Sequence, residues 1–103
     1  MLGAVQRAIT WTIDDGNVVH ATCAQILDTS TTTGQKQLTG VPAEIRPSAI
    51  RFCIRQTADN TTSKISFIRI DTGGTITLFN GTSAVFTAAG QCGIGDTELS
   101  WRL

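Results

Sequence analysis

An all-β domain, a small antiparallel β-sandwich or jelly roll of about seven or eight short strands, is what this 103-residue sequence predicts. Three observations point there. Apolar residues alternate with a period of two almost throughout, and no stretch shows the 3.6-residue rhythm of an amphipathic helix. Turn signatures recur roughly every 8–12 residues. The composition is β-forming, with seventeen Thr, eleven Ile, five Val and ten Gly against two Lys.

The first strand runs from Ile9 to Ile13, where Ile9, Trp11 and Ile13 share one face. Asp14-Asp15-Gly16-Asn17 follows as a hairpin turn. The return strand spans Val18 to Leu27. Val19, Ala21, Cys23 and Leu27 form its apolar face, interrupted at Gln25. Asp28 to Gly34 is a polar, Thr-rich stretch with little to bury, expected as an exposed loop. A short strand from Gln35 to Thr39 leads into Gly40-Val41-Pro42-Ala43-Glu44-Ile45-Arg46-Pro47. Two prolines there exclude a helix and a central strand, leaving an extended connection across the domain.

Ala49 to Gln56 is a strand with Ile50, Phe52 and Ile54 on one side and Arg51, Cys53 and Arg55 on the other. Thr57 to Ser63 is expected as a polar turn. Ile65 to Ile70 follows, with Ile65 and Phe67 on one face and Ile68 and Ile70 on the opposite one. Apolar residues on both faces predict cover on both sides, the second cover being a neighbouring subunit. Asp71-Thr72-Gly73-Gly74 is a tight turn, Thr75 to Phe79 its partner strand, and Asn80-Gly81 another turn. Ala84 to Thr87 is short, Ala89 to Gly95 is Gly-rich, and Thr97 to Leu103 closes the chain with Leu99, Trp101 and Leu103 inward.

The length fits one domain over residues 1–103, with residues 1–8 a short N-terminal arm. Eight basic and eight acidic side chains give a formal charge of +0, so no nucleic-acid partner is expected, because phosphate neutralisation needs a basic excess or stripe. Charged residues at 16% and hydrophobic ones at 41% exclude a disordered chain and a coiled coil. No apolar run approaches the roughly 20 residues of a membrane-spanning helix, and no membrane association is expected. Met1 to Arg7 lacks the charged and apolar regions of a signal peptide.

Catalytic and ligand chemistry finds little support. His20 stands alone, and a pairing with Cys23 at i, i+3 would place the two on opposite faces of a strand. Asp14, Asp15, Asp71 and Asp96 occupy turn positions, where Asp bonds to nearby backbone amides. Cys23, Cys53 and Cys92 form an odd set without a C-x-x-C pair, and buried Cys acts as a small hydrophobe; the spacing selects no disulfide. Gly93-Ile94-Gly95 is a lone G-x-G without a following helix. No enzyme activity, metal or cofactor is expected. Arg51, Arg55 and Arg69 project from neighbouring strands, and guanidinium is favoured where a charge is partly desolvated at an interface, although solvated strand faces account for them equally well. The candidate subunit or partner interface is therefore Arg51, Arg55, Ile68, Arg69 and Ile70.

One set of segments is more specific. Asn17-Val18-Val19-His20-Ala21-Thr22 precedes the polar loop, and Leu38-Thr39-Gly40-Val41-Pro42-Ala43-Glu44-Ile45-Arg46-Pro47-Ser48-Ala49 follows it. Ile70-Asp71-Thr72-Gly73-Gly74-Thr75-Ile76-Thr77-Leu78 and Thr97-Glu98-Leu99-Ser100-Trp101-Arg102-Leu103 come later. Together these resemble the small β-sandwich module of bacteriophage virion proteins over about residues 16–103. Glu44 and Ile45 stand where the module's crossing carries a glycine and an aromatic residue. The resemblance implies a homotrimer with a structural or binding role in the virion, assembled in the host cytoplasm. An early first strand with no heptads before it favours a self-contained capsid decoration, or cement, protein whose partner is the major capsid protein or another virion protein. The alternative is a receptor- or carbohydrate-binding tip of a tail fibre or baseplate. That reading calls for exposed aromatics against a host-surface glycan, with Trp11, Phe79 and Phe86 as candidates.

Overall fold

Alternation builds two sheets that face each other across one core. In the computed structural model, residues 3, 4, 9–23, 25–29, 36–60, 62–82, 86, 90–95 and 97–103 are described. The strands are β1 (Gly3–Ala4), β2 (Ile9–Ile13), β3 (Val18–Cys23), β4 (Ile26–Thr29), β5 (Lys36–Thr39), β6 (Arg51–Asp59), β7 (Thr62–Ile70), β8 (Ile76–Leu78), β9 (Gln91–Ile94) and β10 (Thr97–Arg102). One sheet has the order β1-β5-β8-β7-β6-β9-β4, the other β10-β3-β2. Neighbours pair antiparallel except β1 and β5, which run parallel with Gly3 beside Leu38. The expected all-β, two-sheet architecture is present, and no α-helix occurs among the described residues.

The inward set follows the predicted parity. Val19, Ala21 and Cys23 of β3, Leu99 and Trp101 of β10, Ile68 and Ile70 of β7, and Ile76 and Leu78 of β8 are buried together with Leu38, Val41, Ile45, Phe86, Cys92 and Ile94. Burial of each large aliphatic side chain contributes about 1.5–3 kcal/mol. The hairpin between β2 and β3 forms as its Asp-Gly-Asn turn requires. Asp14 Oδ1 accepts from the Gly16 and Val18 amides at 2.8 and 3.0 Å, and Asn17 takes φ 59°.

Several boundaries differ from the sequence reading. The return strand expected over Val18–Leu27 is two strands: β3 pairs β2 and β10, whereas β4 pairs β9 in the other sheet. Unbroken alternation hides such a change of sheet, because the period is the same on both sides of the corner. Asp28 and Thr29, expected in a loop, pair with Cys92 and Gln91; residues 30–34 lie outside the described residues. Gly3 and Ala4 of the expected arm form a strand. Of the strand expected at residues 84–87, only Phe86 is described, and it is buried.

The polar stretch Thr57 to Ser63 is mostly strand, since β6 runs through Asp59 and β7 starts at Thr62. The buried Thr57 hydroxyl is satisfied within the fold. Thr57 Oγ1 donates to the Phe79 carbonyl at 2.8 Å and lies 2.6 Å from Ser66 Oγ, which accepts from the Gly81 amide. Polar residues so partnered can sit inward at little cost.

The two-proline connection contains a 3₁₀ turn over Ala43–Ile45 and closes one end of the domain. The Val41 amide donates to the Gly74 carbonyl at 3.1 Å, Arg46 Nε donates to the Val41 carbonyl at 2.8 Å, and Trp101 Nε1 donates to the Ile45 carbonyl at 2.8 Å. Gly74 has φ 91°, which strains any residue with a side chain, and a Cβ there would lie 2.7 Å from Arg46 Nε and displace the guanidinium. The Leu103 amide donates to the Asn17 carbonyl. All four segments that carry the phage-module resemblance therefore take part in this one clasp.

Candidate functional site

β6 is inverted relative to the other strands. Its inward side carries Arg51, Cys53, Arg55, Thr57 and Asp59, and its outward side carries Phe52 and Ile54, with Ile50 just ahead. The inward polarity has a local cause. β9 covers β6 only at Thr57, Ala58 and Asp59, and the remainder of β6 lies over the edge of β10. Pairing of β10 with β3 on one side leaves the amides and carbonyls of Glu98, Ser100 and Arg102 directed the other way. Arg55 Nε donates to the Glu98 carbonyl at 2.6 Å and Arg51 Nε to the Arg102 carbonyl at 3.1 Å. Between them the Ser100 amide bonds to Cys53. Burial pushes the Cys53 thiol up, opposed by the Arg55 charge and by that amide. Three alternate side chains of β6 thus occupy a sheet edge that would otherwise offer unpaired backbone.

All five candidate interface residues can now be placed. Arg51 and Arg55 belong to this internal seam. Arg69 holds Asp71, with Nε 3.2 Å from Oδ1. Ile68 and Ile70 are a correction: both are 0% exposed within the single chain, so no partner can reach them. Their side of β7 packs into the core with Val19, Leu99 and Trp101 of the facing sheet, and the uncovered apolar side is the opposite one.

That opposite side holds the candidate site. Ile54 pairs with Phe67, Phe52 with Arg69, and Gln56 with Ile65 across the antiparallel β6–β7 ladder. Ile50, Phe52, Ile54, Ile65 and Phe67 are 37–70% exposed on this one face. Phe67 stands edge-on to Phe52 at 6.3 Å and to Phe79 at 6.4 Å, giving a row of three interlocked rings. The sequence places these residues on one face of each strand; of the candidate interface residues only Arg69 shares that face, whereas Arg51, Arg55, Ile68 and Ile70 lie on the opposite one. The missing signal was the inversion of β6: three alternating polar residues, Arg51, Cys53 and Arg55, opposite a run of large apolar ones. Beyond Gln56 the same sheet face continues into an open hollow of about 370 Å³ lined by uncharged groups, including Gln25, Ser63 and Thr97.

The outer face of the smaller sheet carries His20. Its Nε2 lies 2.9 Å from Asp14 Oδ2 and its Nδ1 3.1 Å from Glu98 Oε1. The Asp14 hydrogen bond, then that of Glu98, raises the imidazole above its ordinary value, and the His20 bond first of all lowers the Asp14 carboxyl. With a carboxylate against each ring nitrogen, the imidazolium proton is held rather than passed on. Cys23 faces the core from the other side of β3. No cluster of three or more potential metal ligands occurs among the described residues.

No family model matches the chain, and no curated protein matches it significantly.

Proposed function

We propose that the chain is a structural protein of a bacteriophage particle that works by attachment rather than turnover. In this reading it is a trimeric decoration protein seated on the outer shell against the major capsid protein. The observation that carries it is the exposed apolar face of β6–β7. Ile50, Phe52, Ile54, Ile65 and Phe67 form a contiguous patch on a rigid ladder, and patches of that kind mark protein contact surfaces. The phage setting is supported by the resemblance, whose residues build the clasp of Val41, Ile45, Arg46, Gly74 and Trp101. Seating several copies at once gives avidity without a large individual contact.

The glycan-tip reading has less support. Phe86 is buried, Trp11 packs against the core, and Phe79 is half-buried beside Phe67, so none of the three offers an open ring face of the kind a sugar stacks on. The test is binding to phage shells lacking this protein. Co-sedimentation with the shells and immunogold label over particle heads are expected. Failure to co-sediment, or label at the tail tip alone, overturns the proposal.

A further inference from the structure

We infer that Asn80–Gly81 is a site of spontaneous covalent modification, loss of the Asn80 carboxamide nitrogen, and that Ser66 and Asp59 hold it closed in the folded chain. The inference goes beyond the attachment reading and uses none of the apolar face.

The chemistry starts in the sequence. Asn17 precedes Val18, Asn60 precedes Thr61, and only Asn80 precedes a glycine. A backbone nitrogen that has given its proton to base attacks the side-chain carbonyl carbon of the asparagine before it. The new C–N bond closes a five-membered imide, and the carboxamide nitrogen leaves as ammonia. Water opens the imide at either carbonyl and leaves aspartate or isoaspartate. The balance is one water taken up and one ammonia released. A side chain on the attacking residue crowds its nitrogen and restricts the backbone, and glycine does neither. The fold keeps that approach open: Gly81 has φ 70°, and a Cβ there would meet nothing closer than Lys64 Cδ at 3.7 Å. Water reaches Asn80 through a hollow of about 250 Å³ that it shares with Asp59, Asn60, Thr62 and Lys64.

Both reacting groups are restrained. The Gly81 amide, the nucleophile, donates to Ser66 Oγ at 2.8 Å. Ser66 is buried and is fixed in turn by Thr57 Oγ1 at 2.6 Å. The carboxamide, the electrophile, donates from Asn80 Nδ2 to Asp59 Oδ2 at 3.0 Å, and Asp59 is only 7% exposed. Attack requires the amide to leave Ser66 and the carboxamide to turn toward it, so the reacting atoms are held out of alignment. It also builds negative charge on the Asn80 oxygen beside a carboxylate, which opposes it.

Conversion changes the site for good. A donor to Asp59 becomes a second carboxylate within hydrogen-bond reach of the first, in a largely buried place. Lys64 is the one cation lining the hollow to offset them. Brief opening of this end of β6, β7 and β8 is thus turned into a lasting change of charge.

Peptide mapping of the chain held at mildly alkaline pH, folded and in urea, tests this. In urea, Asn80 is expected to convert ahead of Asn17 and Asn60. In the folded chain its conversion is expected to be slower by about tenfold or more, as the hydrogen bonds that must break require. Ser66→Ala, with a native near-UV spectrum, is expected to convert severalfold faster than the wild type at Asn80. The converted chain carries one negative charge beyond a formal +0, separates on ion exchange and is expected to melt at a lower temperature. Folded chain that converts as fast as chain in urea overturns the inference, as does Ser66→Ala at the wild-type rate or an earlier conversion of Asn17 or Asn60 in urea. If Ser66→Ala does not fold, hydrogen exchange of the Gly81 amide in the wild type takes its place. Protection is expected there, and exchange at the unfolded rate overturns the inference.

Discussion

The two outward faces of this domain come from the same alternation and end in opposite chemistry. On the smaller sheet, Thr10, Thr12, His20, Thr22, Glu98, Ser100 and Arg102 face out, while Val19, Ala21, Leu99 and Trp101 face in. That is the ordinary division for a sheet with one wet side. On the larger sheet, β7 is apolar on both sides, and β6 turns its isoleucine and phenylalanine side chains to solvent and its arginines inward. The difference arises at the β10 edge. Open backbone there needs donors from above, and β6 supplies them through Arg51 and Arg55, which leaves its other parity to Phe52 and Ile54. One strand therefore closes an internal seam and exposes an apolar face, and neither can change parity without the other.

The sharpest way to break this comparison is to place the same charge on the two faces of the β6–β7 ladder. Ile68→Asp buries an uncompensated carboxylate in the core and is expected to cost about 3–5 kcal/mol, enough to abolish a cooperative melt. Ile54→Asp puts the charge in water and is expected to change chain stability by no more than about 0.5 kcal/mol. Thermal denaturation followed in the near-UV checks both, and equal losses would mean that the outer face is covered within the chain.

The clasp comes next. Trp101→Phe retains most of the buried ring but removes the donor to the Ile45 carbonyl, at an expected cost of about 1–3 kcal/mol. Arg55→Met keeps the aliphatic stem and removes the donors to the Glu98 and Ile54 carbonyls, with an expected loss of about 1 kcal/mol because the site is half open to water. Faster amide exchange along β10, with β3 unaffected, would locate that loss at the seam; unaltered exchange in β10 would show that the edge needs no cover.

How much of this was legible beforehand depends on the kind of residue. Strands whose inner residues are apolar, such as Val19-Ala21-Cys23 and Leu99-Trp101, declare their inward side by hydropathy alone. β6 cannot be read that way, because hydropathy assigns Ile50, Phe52 and Ile54 to the core, while the deciding fact is an open backbone edge 43 and 51 residues away in sequence, at Glu98 and Arg102. Thr57 misleads for a related reason: it looks like a turn residue until its hydroxyl partners, the Phe79 carbonyl and Ser66 Oγ, are in place. The four resemblance segments meet at one end of the sandwich, around Gly74 and Trp101. They fix architecture at one end of the sandwich, whereas the apolar patch lies on β6 and β7, outside the residues that carry the resemblance apart from Ile70 at the end of β7. The candidate contact is therefore a property of this chain's own β6 and β7, and no motif could have located it.

The smallest expected effect concerns the polar face. His20 titrates above its ordinary 6.5 in the folded chain, so folding takes up a proton as pH rises from 6.5 toward that higher value. The stability from the Asp14–His20–Glu98 bridge is thus complete below pH 6.5 and is lost as pH rises through the folded value. Asp14 titrates below its ordinary 3.8, so its share is complete above pH 3.8 and is lost as pH falls through the depressed value. Between 3.8 and 6.5 both shares are whole. The melting temperature of the native chain relative to His20→Gln should be level across that interval and narrow above it. High salt should shrink the difference at every pH, because all three groups are exposed and screened. A difference that widens toward alkaline pH would show that folding favours the neutral imidazole over the imidazolium, against the two carboxylates beside it.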